Sequence, residues 1–96
     1  MKSYFLAQIT IRDRRRYAGY LSRFDEVFDR YRGKVLAVDD HPVKLEGSWR
    51  HGRLVLIEFP NARELRRWYG SKDYQELARF RRSASKGDIL LVHGNR

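Results

Sequence analysis

Apolar and polar positions alternate along Tyr4–Ile11, with Phe5, Ala7, Ile9 and Ile11 on one side and Tyr4, Leu6, Gln8 and Thr10 on the other. A period of two predicts a β-strand, one face wholly apolar and turned to helices, the other mixed and suited to a second subunit or a ligand. The period changes after Asp13, whose side chain suits a helix N-cap. Tyr17, Tyr20, Leu21, Phe24, Val27, Phe28 and Tyr31 recur at helical spacing, predicting a helix from Arg14 to Arg32 with Gly33 as its C′ residue. Lys34–Asp39 is again extended, Asp39-Asp40-His41-Pro42 reads as a turn, and Val43–Glu46 as a resumed extended run.

The strongest apolar run is Leu54–Phe59, preceded by Trp49 and a His51-Gly52 turn and interrupted only by Glu58. Such a run suits a strand covered on both faces. Pro60 stops it and Asn61 opens a second helix, with Glu64 at the capping-box position and Leu65, Trp68 and Tyr69 on one side, until Gly70 closes it. Ser71 caps a third helix whose inner register is Tyr74, Leu77, Ala78 and Arg81. Ser83–Gly87 reads as a loop and Asp88–His93 as the last strand. The order β-α-β-β-α-β, with the second helix split in two, predicts an α+β, ferredoxin-like sandwich as a single domain over residues 1–96, its first and third strands central and its helices on one face.

A chain of 96 residues buries roughly 60–65% of its unfolded surface, a modest core that makes a second copy attractive as cover for sheet surface. With 42% hydrophobic and 14% aromatic residues the chain is a folding one. No cysteine is present, which removes disulfides, thiolate nucleophiles and Cys-based metal sites and agrees with a reducing cytosol. The opening MKSYFLAQIT is neither a signal peptide nor a membrane span, so the expectation is a cytoplasmic protein without a membrane partner. The net charge of +9 comes largely from arginines at positions 12, 14–16, 63, 66, 67, 79, 81 and 82. Each cluster lies in or beside a helix with an apolar opposite face, so most of these arginines read as solvated outer surface.

Two residues stand out against this background. Glu58 interrupts an apolar central strand, on the side it shares with Leu54 and Leu56; it is a candidate buried carboxylate, structural or catalytic. Arg81 occupies an inner helix position where a hydrophobe is expected, so its head group needs an anion, either Glu46 or Glu58 or the carboxylate of a small organic acid. Trp49, Trp68, Tyr17, Tyr20 and Tyr74 are core aromatics by spacing and also a supply for a pocket between helices and sheet, where the hydroxyl of Tyr20 or Tyr74 could donate a proton. Asp39, Asp40 and His41, adjacent on one turn, do not make a convergent metal site. His51 and His93 belong to no catalytic triad visible in the sequence.

The segments Tyr4–Asp13, Glu46-Gly47-x-Trp49, Ile57-Glu58-Phe59-Pro60, Trp68-Tyr69-x-Ser71-x-x-Tyr74-Gln75, Arg81 and Val92-x-Gly94 resemble, over essentially the whole chain, the family catalogued as domain of unknown function 1330. That family is similar to the dimeric α/β-barrel superfamily, in which two sheets pack face to face across a two-fold axis with the helices outside. The resemblance implies a homodimer and a pocket, and it implies no reaction, because one scaffold of this kind supports many chemistries. Haem, bound by some members of the superfamily through a histidine on the third helix, has no ligand here between Ser71 and Gly87. The expectation is therefore a cofactor-independent, enzyme-like or small-molecule-binding dimer, with Glu58, Tyr20 and Tyr74 as catalytic candidates and Arg81, Glu46, Trp49, Trp68 and Tyr17 as ligand-binding ones. A non-catalytic structural or regulatory homodimer is the alternative. An RNA-recognition module shares the element order but needs aromatics on its central strands, where this chain offers leucines.

Overall fold

The computed structural model describes residues 1–95. Its elements are β1 (Ser3–Ile11), α1 (Arg14–Phe28), β2 (Lys34–Asp39), β3 (Arg53–Phe59), α2 (Ala62–Tyr69), α3 (Lys72–Ala84) and β4 (Ser85–His93). The strands form one antiparallel sheet in the order β2-β3-β1-β4, with β1 and β3 central, and the three helices pack on one face. This is the expected α+β, ferredoxin-like sandwich. Among the described residues no helix is long and apolar enough to cross a membrane.

The core is aromatic. Trp68, wholly buried, stacks on Phe59 with ring centroids 5.4 Å apart and meets Phe5, Phe28 and Tyr74 at 5.1, 5.6 and 4.3 Å. These rings come from β1, β3 and all three helices, so one indole ties the helix layer to the sheet. Aromatic edges and faces meeting at such distances each contribute about 0.5–1.5 kcal/mol beyond burial. The predicted caps form: Asp13, Asn61 and Ser71 accept from the backbone N–H of Arg16, Glu64 and Tyr74, respectively.

Three boundaries differ from the sequence reading. Helix α1 stops at Phe28, because Gly33 must approach the core: a Cβ there would fall 2.5 Å from Phe28 Cζ and 2.7 Å from Phe59 Cζ. Residues between them are drawn instead to the start of α3, where Arg30 Nη1 and Tyr31 Oη donate to Asp73 at 2.7 and 3.1 Å. Val43–Glu46 forms no strand and lies exposed in the connection between β2 and β3. Ser83–Gly87 is not a loop: α3 runs to Ala84 and β4 begins at Ser85. The corner is closed by Arg12 N–H and Asp13 N–H donating to the Ala84 carbonyl, and by Ser85 Oγ donating to the Arg81 carbonyl at 2.6 Å.

The register sorts the side chains. Phe5, Ala7, Ile9, Val55, Ile57 and Phe59 face the helices. On the other, helix-free face, Leu90, Leu6, Leu56 and Ala37 line up directly across all four strands as one apolar rung. It is flanked by the rungs Val92–Tyr4–Glu58–Lys34 and Asp88–Gln8–Leu54–Asp39. Leu90 is 57% exposed, while Leu6, Leu56 and Ala37 are partly buried within the subunit.

Candidate functional site

The helix layer does not reach β2. Val35 and Val38 on that strand remain exposed, and the gap between α1 and the β2–β3 side of the sheet is a cavity of about 260 Å³. Its floor is the apolar register of the sheet, including Ala7, Ile9, Val55 and Ile57, and α1 contributes Tyr17, Tyr20, Leu21, Phe24 and Asp25. Two arginines complete the lining, Arg53 from the first position of β3 and Arg81 from the inner side of α3.

Arg81 is only 6% exposed and forms no salt bridge among the described residues, and its Nε and Nη2 have no hydrogen-bond partner there. Its guanidinium carbon sits 6.0 Å from the centroid of the Tyr20 ring. Arg53 is similarly placed 5.7 Å from the Tyr17 ring; one of its nitrogens donates to Asp40 Oδ1 at 2.8 Å, while Nε is buried without a partner. Guanidinium groups keep their charge under all ordinary conditions, so the polar end of this cavity is positive.

The hydroxyls of Tyr20 and Tyr74 lie 2.8 Å apart, and both are buried. In such a pair one hydroxyl donates to the other, and the accepting one keeps a proton to offer elsewhere. Burial, reinforced by the neighbouring Tyr74, pushes the Tyr20 hydroxyl well above the usual phenol range against the opposing pull of Arg81. Burial also raises Tyr74, opposed by Arg81, and Tyr17, opposed by Arg53. All three phenols therefore stay protonated at neutral pH and act as donors rather than bases. Asp25, exposed on α1, is the one carboxylate in the cavity lining among the described residues.

The other sequence-derived candidates lie elsewhere. Glu58 projects from the helix-free face, partly exposed, with Oε1 3.2 Å from Lys2 Nζ. Glu46 is exposed in the connection between β2 and β3. Neither pairs with Arg81: the sheet separates Glu58 from the helix layer, so the buried ion pair expected from the sequence does not form. Trp68 is at the centre of the core and Trp49 on the connection, its ring 6.3 Å from that of His51; neither lines the cavity. Arg53 was missed although a signal existed, because it falls in the same period-two register as Val55, Ile57 and Phe59, where a charge is out of place.

His51 is also better placed than the sequence suggested. Its Nδ1 is 3.0 Å from Thr10 Oγ1 and its Nε2 3.1 Å from Asp88 Oδ2, on the helix-free face. If Nε2–H donates to the carboxylate, Nδ1 accepts from the threonine hydroxyl, a consistent set of roles. The arrangement ties the long connection over residues 40–52 down onto β1 and β4.

The sequence matches the family described as domain of unknown function (DUF1330) over residues 2–95. The chain belongs to that family. Among solved structures, this DUF1330 chain is similar to RPA0582, a protein of unknown function from Rhodopseudomonas palustris, with a TM-score of 0.80 at 18% identity, covering 99% of this chain and 83% of that one. It is also similar to SnoaB, a cofactor-independent oxygenase from Streptomyces nogalater, with a TM-score of 0.66 at 15% identity, covering 99% and 94% of the two chains. At these identities the likeness is one of fold. No curated protein matches this DUF1330 chain.

The raised tyrosine values carry a pH dependence with a definite sign. A folded state that holds these protons more tightly than the unfolded chain keeps the full contribution below the ordinary phenol value of 10.0 and loses it as pH rises through the higher folded values. Urea unfolding should therefore show stability falling above about pH 10, and falling less steeply in the double variant Tyr20→Phe/Tyr74→Phe. An equally steep fall in the double variant would contradict the environment described for the pair.

Proposed function

We propose that this protein is a homodimer that binds a small organic acid in the cavity beneath α1, in the manner of a cofactor-independent enzyme. The observation that carries the reading is Arg81: a buried charge without a carboxylate partner among the described residues, at the wall of a largely apolar cavity. Burying an unpaired ion costs several kcal/mol, of which a desolvated cation–π contact offsets about 2. A ligand carboxylate against Arg81, with Arg53 beside it and the apolar body against Ile9, Val55, Ile57 and Phe24, supplies the missing counter-charge. The volume of about 260 Å³ suits a small ligand, near the lower limit of pockets that take drug-sized molecules. The protonated Tyr20–Tyr74 pair supports a role as hydrogen-bond donor to an oxygen that gains negative charge during reaction.

Dimerisation is supported by the apolar rung Leu90–Leu6–Leu56–Ala37 on the helix-free face, which a second copy of the same sheet would cover. Nucleic acid fits this face poorly: Tyr4 is the one aromatic its flanking rung supplies, and Phe59 is wholly buried on the other side.

Two measurements test the proposal. Light scattering after size exclusion should give twice the subunit mass for the wild type and the subunit mass for Leu90→Glu, a change at an exposed position that leaves the helix-facing core untouched; a monomeric wild type would contradict the dimer. Thermal melting against a panel of aromatic and branched aliphatic monocarboxylic acids tests the cavity. An acid at ten times its Kd adds about 1.4 kcal/mol, a rise of roughly 5–10 °C in a domain of this size. The rise should vanish in a folded Arg81→Ala variant; a rise of the same size in that variant, or none with any acid in the wild type, would overturn the assignment.

A further inference from the structure

Arg81 is the wall of two cavities. Besides the one beneath α1, it lines a second hollow of about 410 Å³, together with Tyr69, Arg82, Ser85, Gly87 and Ile89. Gly87 and Ile89 lie opposite Ile9 and Ala7, two of the β1 residues that floor the first cavity. The two hollows therefore lie on the same side of the sheet, one toward the β2 edge and one toward the β4 edge, with Arg81 shared between them.

Their chemistry differs. The first is apolar with charge at one end. The second presents two guanidinium groups on adjacent residues, few apolar groups, and no carboxylate among the described residues. Arg82 is held by Gln75, donating from Nη2 to the side-chain oxygen at 2.9 Å and toward the backbone carbonyl at 3.4 Å. Both acceptors are neutral, so they orient the Arg82 guanidinium without cancelling its charge. Position 87 has to be glycine for a reason internal to the sheet, since a Cβ would fall 2.5 Å from Ile9 Cδ1 and 2.8 Å from the Gln8 carbonyl oxygen. The hollow consequently has bare backbone on its sheet side.

Two neighbouring positive charges line this space between helix and strand, and one of them is buried and has no counter-ion among the described residues. We infer that this second hollow is a subsite for a small, ionised oxyanion of the phosphate or sulfate type, held between Arg81 and Arg82. A compact anion with several oxygens fits because the lining offers charge and hydrogen-bond donors but little apolar surface for an organic body. The inference stands apart from the reading of the first cavity, since it needs no acid bound there. Where both sites fill, they draw on one guanidinium, and each anion weakens the binding of the other.

The test follows the Nε–H resonance of Arg81, identified by its loss in Arg81→Lys, while inorganic phosphate is titrated into the protein with no organic acid present. Sulfate, acetate and chloride are titrated in parallel at matched ionic strength. The expected result is a saturable shift with phosphate and sulfate, weaker with acetate and absent with chloride. The midpoint should rise at least fivefold in Arg82→Ala and recover partly in Arg82→Lys. Arg82 is exposed, so both variants should retain the wild-type backbone spectrum. A response that is linear, equal for chloride, or unchanged in Arg82→Ala overturns the subsite, whatever the first cavity proves to bind.

Discussion

The guanidinium of Arg81 lies beneath α3, over the Tyr20 ring, close to a pair of buried phenols and with two of its nitrogens lacking any partner among the described residues. Its place on the helix is the register of Tyr74, Leu77, Ala78 and Ala84, all of them buried. A leucine or methionine there would bury apolar area at about 25 cal/mol per Å² and desolvate no charge. The fold instead tolerates a costly group at the junction of two hollows. Local rules of stability are broken where a site is built, and the cost is met by the surrounding aromatic core.

The hollows exist because the helix layer is narrower than the sheet. Trp68 gathers α1, α2 and α3 over β1 and β3, and the edge strands are covered less on that side: Val35 and Val38 of β2 stay exposed, and Ile89 and Leu91 of β4 are only partly buried. A broad sheet with a centred, rigid helix layer gives two clefts, one along each edge, without any special loop. The proposed site is tied to the fold through Trp68: the indole that anchors the helices also fixes how far Tyr74, which it touches at 4.3 Å, and hence Tyr20, stand above the sheet. The helix-free face makes the opposite demand. Its apolar rung is continuous across four strands, and the flanking rungs carry Glu58 with Lys34 and Asp88 with Asp39, a polar border around an apolar centre.

Much of this was legible in the sequence. A period of two identified β1, a period of 3.6 the helices and a continuous apolar run β3, and the inner register of α3 marked Arg81 as a charge in an apolar position. What could not be read was distance between elements. Tyr31 continues the helical spacing of α1, yet the chain leaves the helix earlier because Gly33 must lie against Phe28 and Phe59, contacts made by residues far apart in sequence. Ser83–Gly87 has loop composition, but the Ala84 carbonyl is captured by the backbone after β1, which makes a sharp corner sufficient. The sequence reading offered Glu58 as a partner for Arg81, but the register puts Glu58 with Leu54 and Leu56 on the face away from the helices, where it meets Lys2 instead. His51 could not be placed, because its position between Thr10 and Asp88 depends on the path of the connection over residues 40–52.

On the proposed reading, Arg81 is kept for an anion and not for the fold. The stability of Arg81→Met, measured by urea unfolding in a buffer free of phosphate, sulfate and organic acids, tests it most directly. Methionine retains the apolar stem and removes the uncompensated charge, so the account predicts a variant at least as stable as the wild type. A loss of roughly 3–5 kcal/mol, the size expected on breaking a buried pair, would show that the guanidinium has a structural counterpart and contradict the account.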